Sequence, residues 1–436
     1  MNRYVSNSKW LVFCLLSFAL ATSAVFGGNA DKADKREDKV AASHRSVVVA
    51  ENRRALEAYE KRNAEIAPWP EDAAPPNTDN AALLYYQACL LVPEPNEALK
   101  HKIRPNAGPT PEIRTYLGKC LPVIEIAQTA SRIPECTWAV WPGARSSLAP
   151  VRKKILLLAT VLLMDATTLA VDEKYNVALE RCLTVQRIAR HLSDDPELYT
   201  YEEFFFGRAL YTIQILLGMM PPDQNILTWF RDELVRIPKL PFSSAKRWRG
   251  LLEIGEDRMR TDPDVLAFFR AQVLREARGQ QAKESIQNLT DKQFRSRAAE
   301  VFTQIADSIL EIISSNAIYD KRLSKVHQLY NELTGDGNAD PIVKTYASLA
   351  NMAEGLLTHQ VEQKAWLSGT KAAVEIYIEL AKTGKLPEKL PANLPKDPFT
   401  GKDFGYEKTD DGFALRCAGQ GFKKRKKSLL EFRVRR

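Results

Sequence analysis

Apolar residues recur at intervals of three and four along most of this chain, the spacing of helices with one buried face. Val177, Leu179, Leu183, Val185 and Ile188 form one such stripe within a predicted helix Tyr175–Leu192. The same reading predicts Asn52–Ile66, then a helix running through Leu83, Leu84, Tyr85, Tyr86 and Leu90 to Val92 that Thr78 or Asp79 would cap. A third helix carries Ile113, Leu117, Val123 and Ile124, and a fourth begins just after Pro150. Beyond Tyr175–Leu192 the pattern predicts Tyr201–Leu217, Asn225–Val235, Ala245–Arg278, Asp291–Lys325, Pro341–Glu362 and Trp366–Thr383. Pro196, Pro221-Pro222, Pro238 and Pro241 fall where helices should stop. Helices of this length with short connections favour antiparallel neighbours. No fixed repeat is present, and the tetratricopeptide pattern is not met. The expected fold is mainly α: antiparallel helical hairpins in an irregular bundle or solenoid.

The densest apolar run, Ile155–Met164, is ten residues long and is followed by Asp165. That is short of the roughly 20 residues a membrane span needs, so a core helix is expected and no span after the N-terminal segment. At Gly384 the character changes. Pro387, Pro391, Pro395 and Pro398 make a Pro-rich linker, and Phe404–Tyr406, Phe413–Cys417 and Leu429–Val434 read as short strands. The expected organisation is a helical domain over 46–384 and a small β module with a basic tail over 385–436.

The N-terminus reads differently. Arg3 and Lys9 flank the start of an apolar run, Trp10–Phe26, followed by small residues. This is the pattern of a secretory signal peptide over 1–24, cleaved after Ala24 or alternatively after Ala21. An uncleaved anchor is the rival reading. Residues 25–45 are small and charged, as in a flexible tether. A periplasmic or envelope-associated protein is therefore expected. Five cysteines follow the leader: Cys89, Cys120, Cys136, Cys182 and Cys417. They contain no C-x-x-C, which removes zinc-knuckle and thioredoxin-like motifs. One or two disulfides fit an oxidising compartment, Cys120 and Cys136 being closest in sequence, while Cys89 and Cys182 read as buried small hydrophobes.

Composition is that of an average soluble globular protein: 436 residues, 45% hydrophobic and 27% charged. Wholesale disorder and polytopic membrane folds are excluded on that basis. Charge is more informative. The formal net charge is +8, or +6 once Arg3 and Lys9 leave with the leader. Residues 423–436 alone contribute +7, chiefly through Lys423, Lys424, Arg425, Lys426 and Lys427, so the rest is nearly neutral. A run of this kind can hold anionic lipid headgroups, acidic polysaccharide or nucleic acid. Nucleic acid is the weakest of these, because the protein is read as exported and no aromatic residues interleave the run. A solvated turn between edge strands is the competing account.

Catalytic signatures are sparse. G-x-S-x-G, the P-loop, G-x-G-x-x-G after a strand and H-E-x-x-H are missing, and no cofactor is expected. The histidines His44, His101, His191, His327 and His359 stand singly. Asp336-Gly337-Asn338-Ala339-Asp340 starts like a calcium loop but has Pro341 and Ala347 where the turn glycine and bidentate glutamate belong. A turn with Asp340 capping the next helix explains it better. Carboxylate pairs at Asp194-Asp195, Glu202-Glu203 and Glu253/Glu256/Asp257 have Arg208, Arg258 and Arg260 nearby and read as ordinary ion pairs. Trp138 and Trp141, before Pro142-Gly143, are candidates for stacking on a sugar or peptide, against the alternative of plugging space between helices.

Asp397-Pro398-Phe399-Thr400-Gly401, Tyr406 and Asp411-Gly412-Phe413-Ala414-Leu415 resemble the C-terminal strand-turn-strand of type II secretion pseudopilins. The chain as a whole is similar to uncharacterised exported bacterial helical proteins that end in this motif. The resemblance implies a cap or docking module there, with Gly401 and Gly412 permitting turn dihedrals and Phe399, Tyr406 and Phe413 covering the preceding helix. It implies no metal site, since Gly419-Gln420-Gly421 lacks an Asp. These readings lead to an exported, non-catalytic binding or scaffolding protein of the envelope, with an envelope protein or anionic polymer as partner. The alternatives are a polysaccharide-acting hydrolase using two carboxylates, or a pseudopilin-like assembly component.

Overall fold

The computed structural model describes residues 50, 53–62, 79–138, 148–193, 198–237, 244–335, 340–391, 393–417 and 429–435. The predicted leader and tether lie outside the described residues. The chain is mainly helical, with one small antiparallel sheet near its C-terminus. The described residues form two compact units, one of 244–362 and a larger one that combines the helices before 238 with everything from 363 onward. The division differs from the expected helical domain followed by a β module: the sheet shares a unit with the first half of the chain.

The larger unit begins with α1 (53–62), α2 (Ala81–Leu91), the short α3 (Glu97–Lys100) and α4 (Pro111–Ser131). There follow α5 (Leu148–Val171), α6 (Tyr175–Ser193), α7 (Tyr199–Met219) and α8 (Gln224–Arg236). Helices α5, α6 and α7 pack on one another in sequence order, and α2 packs on α4. Leu158, Leu162, Leu183, Val185, Phe205 and Ile213 are fully buried among them. Each such side chain contributes about 1.5–3 kcal/mol relative to exposure. By length and composition Val151–Val171 alone among the described helices could cross a membrane. Here most of it is buried within the unit, and Asp165 is buried among ionic partners.

Helix α1 docks by close backbone approach. A Cβ on Gly118 of α4 would stand 2.0 Å from the carbonyl oxygen of Ala55. Helix α4 also continues through Pro122, although proline removes one backbone donor from the helix interior. Its apolar face, with Ile113, Leu117, Val123 and Ile124 all buried, offsets that loss.

The smaller unit contains α9 (Ser244–Thr261), α10 (Pro263–Glu276), α11 (Gln280–Gln287), α12 (Asp291–Ser314), α13 (Tyr319–Thr334) and α14 (Pro341–Tyr346). Tyr346 sits between Phe269 and Phe302, at centroid distances of 4.7 and 5.2 Å. The buried Trp248 donates its Nε1–H to the carbonyl of Ala306 at 3.0 Å. Helix α15 (Ser348–Thr383) contributes its first part to this unit and its remainder to the larger one.

Several predicted boundaries are corrected. Ala245–Arg278 is two helices, because Asp262 caps α10 by accepting from the amides of Asp264 and Val265 and Pro263 occupies the first turn. Asp291–Lys325 breaks after Ser314, where Ser315 is extended and turns its hydroxyl back to the carbonyl of Ile312. Conversely, α15 runs unbroken through 363–365, where no glycine or proline interrupts it. Helix α2 is capped by Asn80, whose side chain also accepts from the amide of Thr137 and donates to its carbonyl.

The sheet has the order β1-β2-β3, with β1 (Gly405–Thr409), β2 (Gly412–Arg416) and β3 (Leu429–Arg433) all antiparallel. Its buried face carries Phe413, stacked on Phe432 at 5.2 Å and set edge-on to Tyr377 of α15 at 5.5 Å. The turn before it is built around Asp397, which is fully buried. Its carboxylate accepts from the Phe399 amide and the Thr400 hydroxyl, and its carbonyl accepts from the Gly401 amide at 2.7 Å. Gly401 has a φ of 71°, where glycine is favoured. Gly412 is needed for a different reason from the one expected: a Cβ there would meet the Phe432 carbonyl oxygen at 1.9 Å.

Candidate binding surface

Lys423, Lys424, Arg425, Lys426 and Lys427 lie outside the described residues, as does Trp141. The strands on either side of the basic run are described, and they pair directly, Arg416 opposite Leu429. The run is therefore the connection of an antiparallel hairpin rather than a terminal tail. Leu430 and Phe432 of β3 are buried, so the last residues belong to the folded sheet.

That hairpin is fixed to the larger unit. The Gln214 side chain of α7 donates to the Glu431 carbonyl, and the Tyr377 hydroxyl of α15 donates to the Arg433 carbonyl. Arg435 donates to the Tyr175 hydroxyl at 2.8 Å and to the Met219 carbonyl, and lies 3.6 Å from Glu173. Burial pushes the Tyr377 phenol above its ordinary value, so it stays a donor.

Trp138 is placed inside the helical unit, 1% exposed. Its ring stacks on Tyr85 at 5.4 Å, and its Nε1–H donates to the His191 carbonyl at 2.8 Å. The Tyr85 hydroxyl shares a hydrogen bond with His191 Nδ1 at 2.9 Å, and burial pushes the Tyr85 phenol well above its usual value. This geometry fits the packing role and leaves no ring face of Trp138 open to a ligand. His191 belongs to the same interior cluster.

Besides Glu202 and Asp397, which are also fully buried, two groups of buried charges tie helices together. Asp165 on α5 accepts from Arg62 at 2.9 Å, Arg181 at 2.8 Å and the Tyr59 hydroxyl at 3.2 Å. Burial alone would raise its carboxyl, but the two guanidiniums outweigh burial and hold it below the usual carboxylate value. Arg62 also lies over the Tyr59 ring at 5.0 Å. The second group runs from Arg132 to Glu180 to Arg187 to Glu233 to Arg236, with separations of 2.7–3.0 Å, and ties α4, α6 and α8 together. These groups hold helices together and line neither of the two clefts described next.

Two open clefts lie in the larger unit. One, of about 600 Å³, is lined by Glu173, Tyr175, Met220, Pro221, Pro222, Asp223, Ile226 and Arg435. It contains two carboxylates, the feature the hydrolase alternative requires. A general acid needs an apolar setting that keeps its proton. The Glu173 side chain is instead 69% exposed, and Asp223 accepts from the amides of Asn225 and Ile226 as the cap of α8. The other cleft, of about 420 Å³, lies between α8, α15, Pro391 and Asn393–Pro395 and also holds two carboxylates, Glu375 and Glu379, of which Glu375 lies 4.0 Å from Arg231.

Of the remaining sequence candidates, Asp340 caps α14 through the Ile342 amide and pairs with Arg297 at 2.6 Å, while Asp336–Ala339 lie outside the described residues. Asp257 pairs with Arg260 at 2.9 Å. Among the described residues no group of three metal-ligating side chains converges. Cys89, Cys120, Cys136, Cys182 and Cys417 form no disulfide. Burial pushes the Cys89, Cys120 and Cys417 thiols up to about 12. Comparison with protein-family models, with curated proteins and with solved structures returns no match for this chain.

Proposed function

We propose that this chain is an exported, non-catalytic scaffolding protein that docks on the cell envelope through its C-terminal hairpin. One observation carries the reading: of the strands flanking Lys423–Lys427, β3 is bonded to α7 and α15, and both pack through Phe413, Phe432 and Tyr377. A dense positive charge joined to a rigid base is suited to electrostatic attachment. The apolar leader and the small, charged segment behind it support an envelope setting.

The test is retention by the isolated envelope fraction of the native host. Full-length protein is compared with a variant in which Lys423, Lys424, Arg425, Lys426 and Lys427 are all changed to Gln. Deleting 423–436 would not serve, because it removes β3 and with it the buried Leu430 and Phe432. Retention that falls with added salt and is lost in the variant supports docking. Equal retention of both forms overturns it.

A further inference from the structure

We infer that the outer face of α7 is a binding platform for an acidic polysaccharide, a proposal that rests on the envelope-docking reading and specifies its partner. Phe204 and Tyr211 are exposed, at 39% and 44%, seven residues apart on this helix. Seven residues are two turns, so both rings lie on one stripe about 10.5 Å apart along the axis. Arg208 lies between them, exposed, with its guanidinium 4.9 Å from the centre of the Phe204 ring. No carboxylate among the described residues pairs with Arg208, unlike Arg114, Arg132, Arg181 and Arg187 of the same unit. Gly207, on the same side, has nothing within 4 Å of where a Cβ would stand, leaving open space beside the rings.

Among the described side chains of α7 those not buried are Tyr201, Phe204, Gly207, Arg208, Tyr211, Gln214, Ile215, Gly218 and Met219, none of them acidic. At Gly218 the face meets β3, where the exposed Arg433 pairs with Asp411 at 3.4 Å, so the charge of the face itself is that of Arg208. Aromatic rings offer flat apolar surface to the C–H faces of sugar rings, and an unpaired guanidinium recognises a carboxylate by a forked pair of hydrogen bonds. A buried core or an ordinary solvated face would need neither two exposed rings in line nor an uncompensated arginine. The complementary occupant is a linear glycan carrying carboxylates.

The experiment is affinity electrophoresis of the full-length protein through gels containing polygalacturonate, with neutral dextran gels as control. Phe204→Ala, Tyr211→Ala and Arg208→Gln are run beside the wild type and the 423–427 Gln variant, and circular dichroism checks that each variant keeps its helicity. The expected result is retardation in polygalacturonate alone, weakened about fivefold or more by each α7 substitution. Retardation that the α7 variants leave unchanged while the 423–427 variant abolishes it overturns this inference and leaves the docking hypothesis standing. Absence of retardation, equal retardation in dextran, or binding only to phosphatidylglycerol vesicles overturns it as well; envelope retention then judges docking separately.

Discussion

Replacing Asp165 by Asn leaves the guanidiniums of Arg62 and Arg181 facing a neutral amide in a site that is fully buried. Removing one member of such a cluster costs about 3–5 kcal/mol. Urea unfolding of Asp165→Asn should show a loss of that size at neutral pH. The sign of the pH dependence follows from the carboxyl's lowered folded value. Its stabilisation is fully present above the ordinary carboxyl value of about 3.9 and is lost as pH falls below that through the folded value. The acid limb of the wild-type stability curve should therefore be steeper than that of Asp165→Asn; equal limbs would remove Asp165 from the account. Glycines give a paired prediction. Gly412→Ala forces a methyl against the Phe432 carbonyl and should cost about 1–3 kcal/mol or more. Gly369→Ala meets only the tip of Leu430 and gains helix propensity, so it should be close to neutral in the same measurement. At this scale the sequence was only partly legible. Asp340 as a cap could be read from its Pro neighbour, whereas Trp138 looked the same as a surface aromatic until Tyr85 and His191, distant in sequence, closed around it.

Helices were readable where an apolar stripe and a breaker coincided. Tyr175–Leu192 was expected and α6 is Tyr175–Ser193. The reading failed at boundaries set by local side-chain chemistry. The Asp262 cap and the Ser315 turn each divide what periodicity alone ran together, and 363–365 joins what it separated. These differences are testable through the caps. Asp262→Ala removes the acceptor for two amides and should destabilise by about 1 kcal/mol, read as a lowered urea midpoint with an unchanged slope. A cost near zero would mean that the break is imposed by Pro263 alone. The exposed face of α7 escaped the sequence reading for a different reason. Phe204 and Tyr211 look like core residues at helical spacing, and only the burial of the opposite face, with Phe205, Phe206, Ala209 and Ile213 inside, turns them outward. A helix apolar on more than one side offers no sequence signal for which side will be left open.

For the whole molecule, the balance of charge along the chain was legible and the division into units was not. Five positive charges, Lys423–Lys427, fall where a hairpin connection joins β2 to β3, and that hairpin is fixed to helices more than 50 residues earlier in sequence. Strand pairing could be expected from turns and alternation, but the partners of the sheet could not, because Gln214 and Tyr377 meet β3 only through the tertiary fold. The absence of disulfides among the described cysteines has its own consequence. Four of the five cysteines are buried, and Cys136 is half-buried. In a Cys14→Ser background, a thiol reagent should label native protein rapidly at Cys136 and label the others only on unfolding. Rapid labelling of Cys120 or Cys182 in the native state would contradict their burial. The central claim, that the anchored basic hairpin attaches the protein to an anionic envelope component, is tested most directly by co-sedimentation with the isolated envelope fraction at low and high salt. We predict that wild-type protein sediments at low salt and is released at high salt, and that the variant with Gln at 423–427 stays in the supernatant at both. Sedimentation of the variant to the same extent as the wild type would contradict the account.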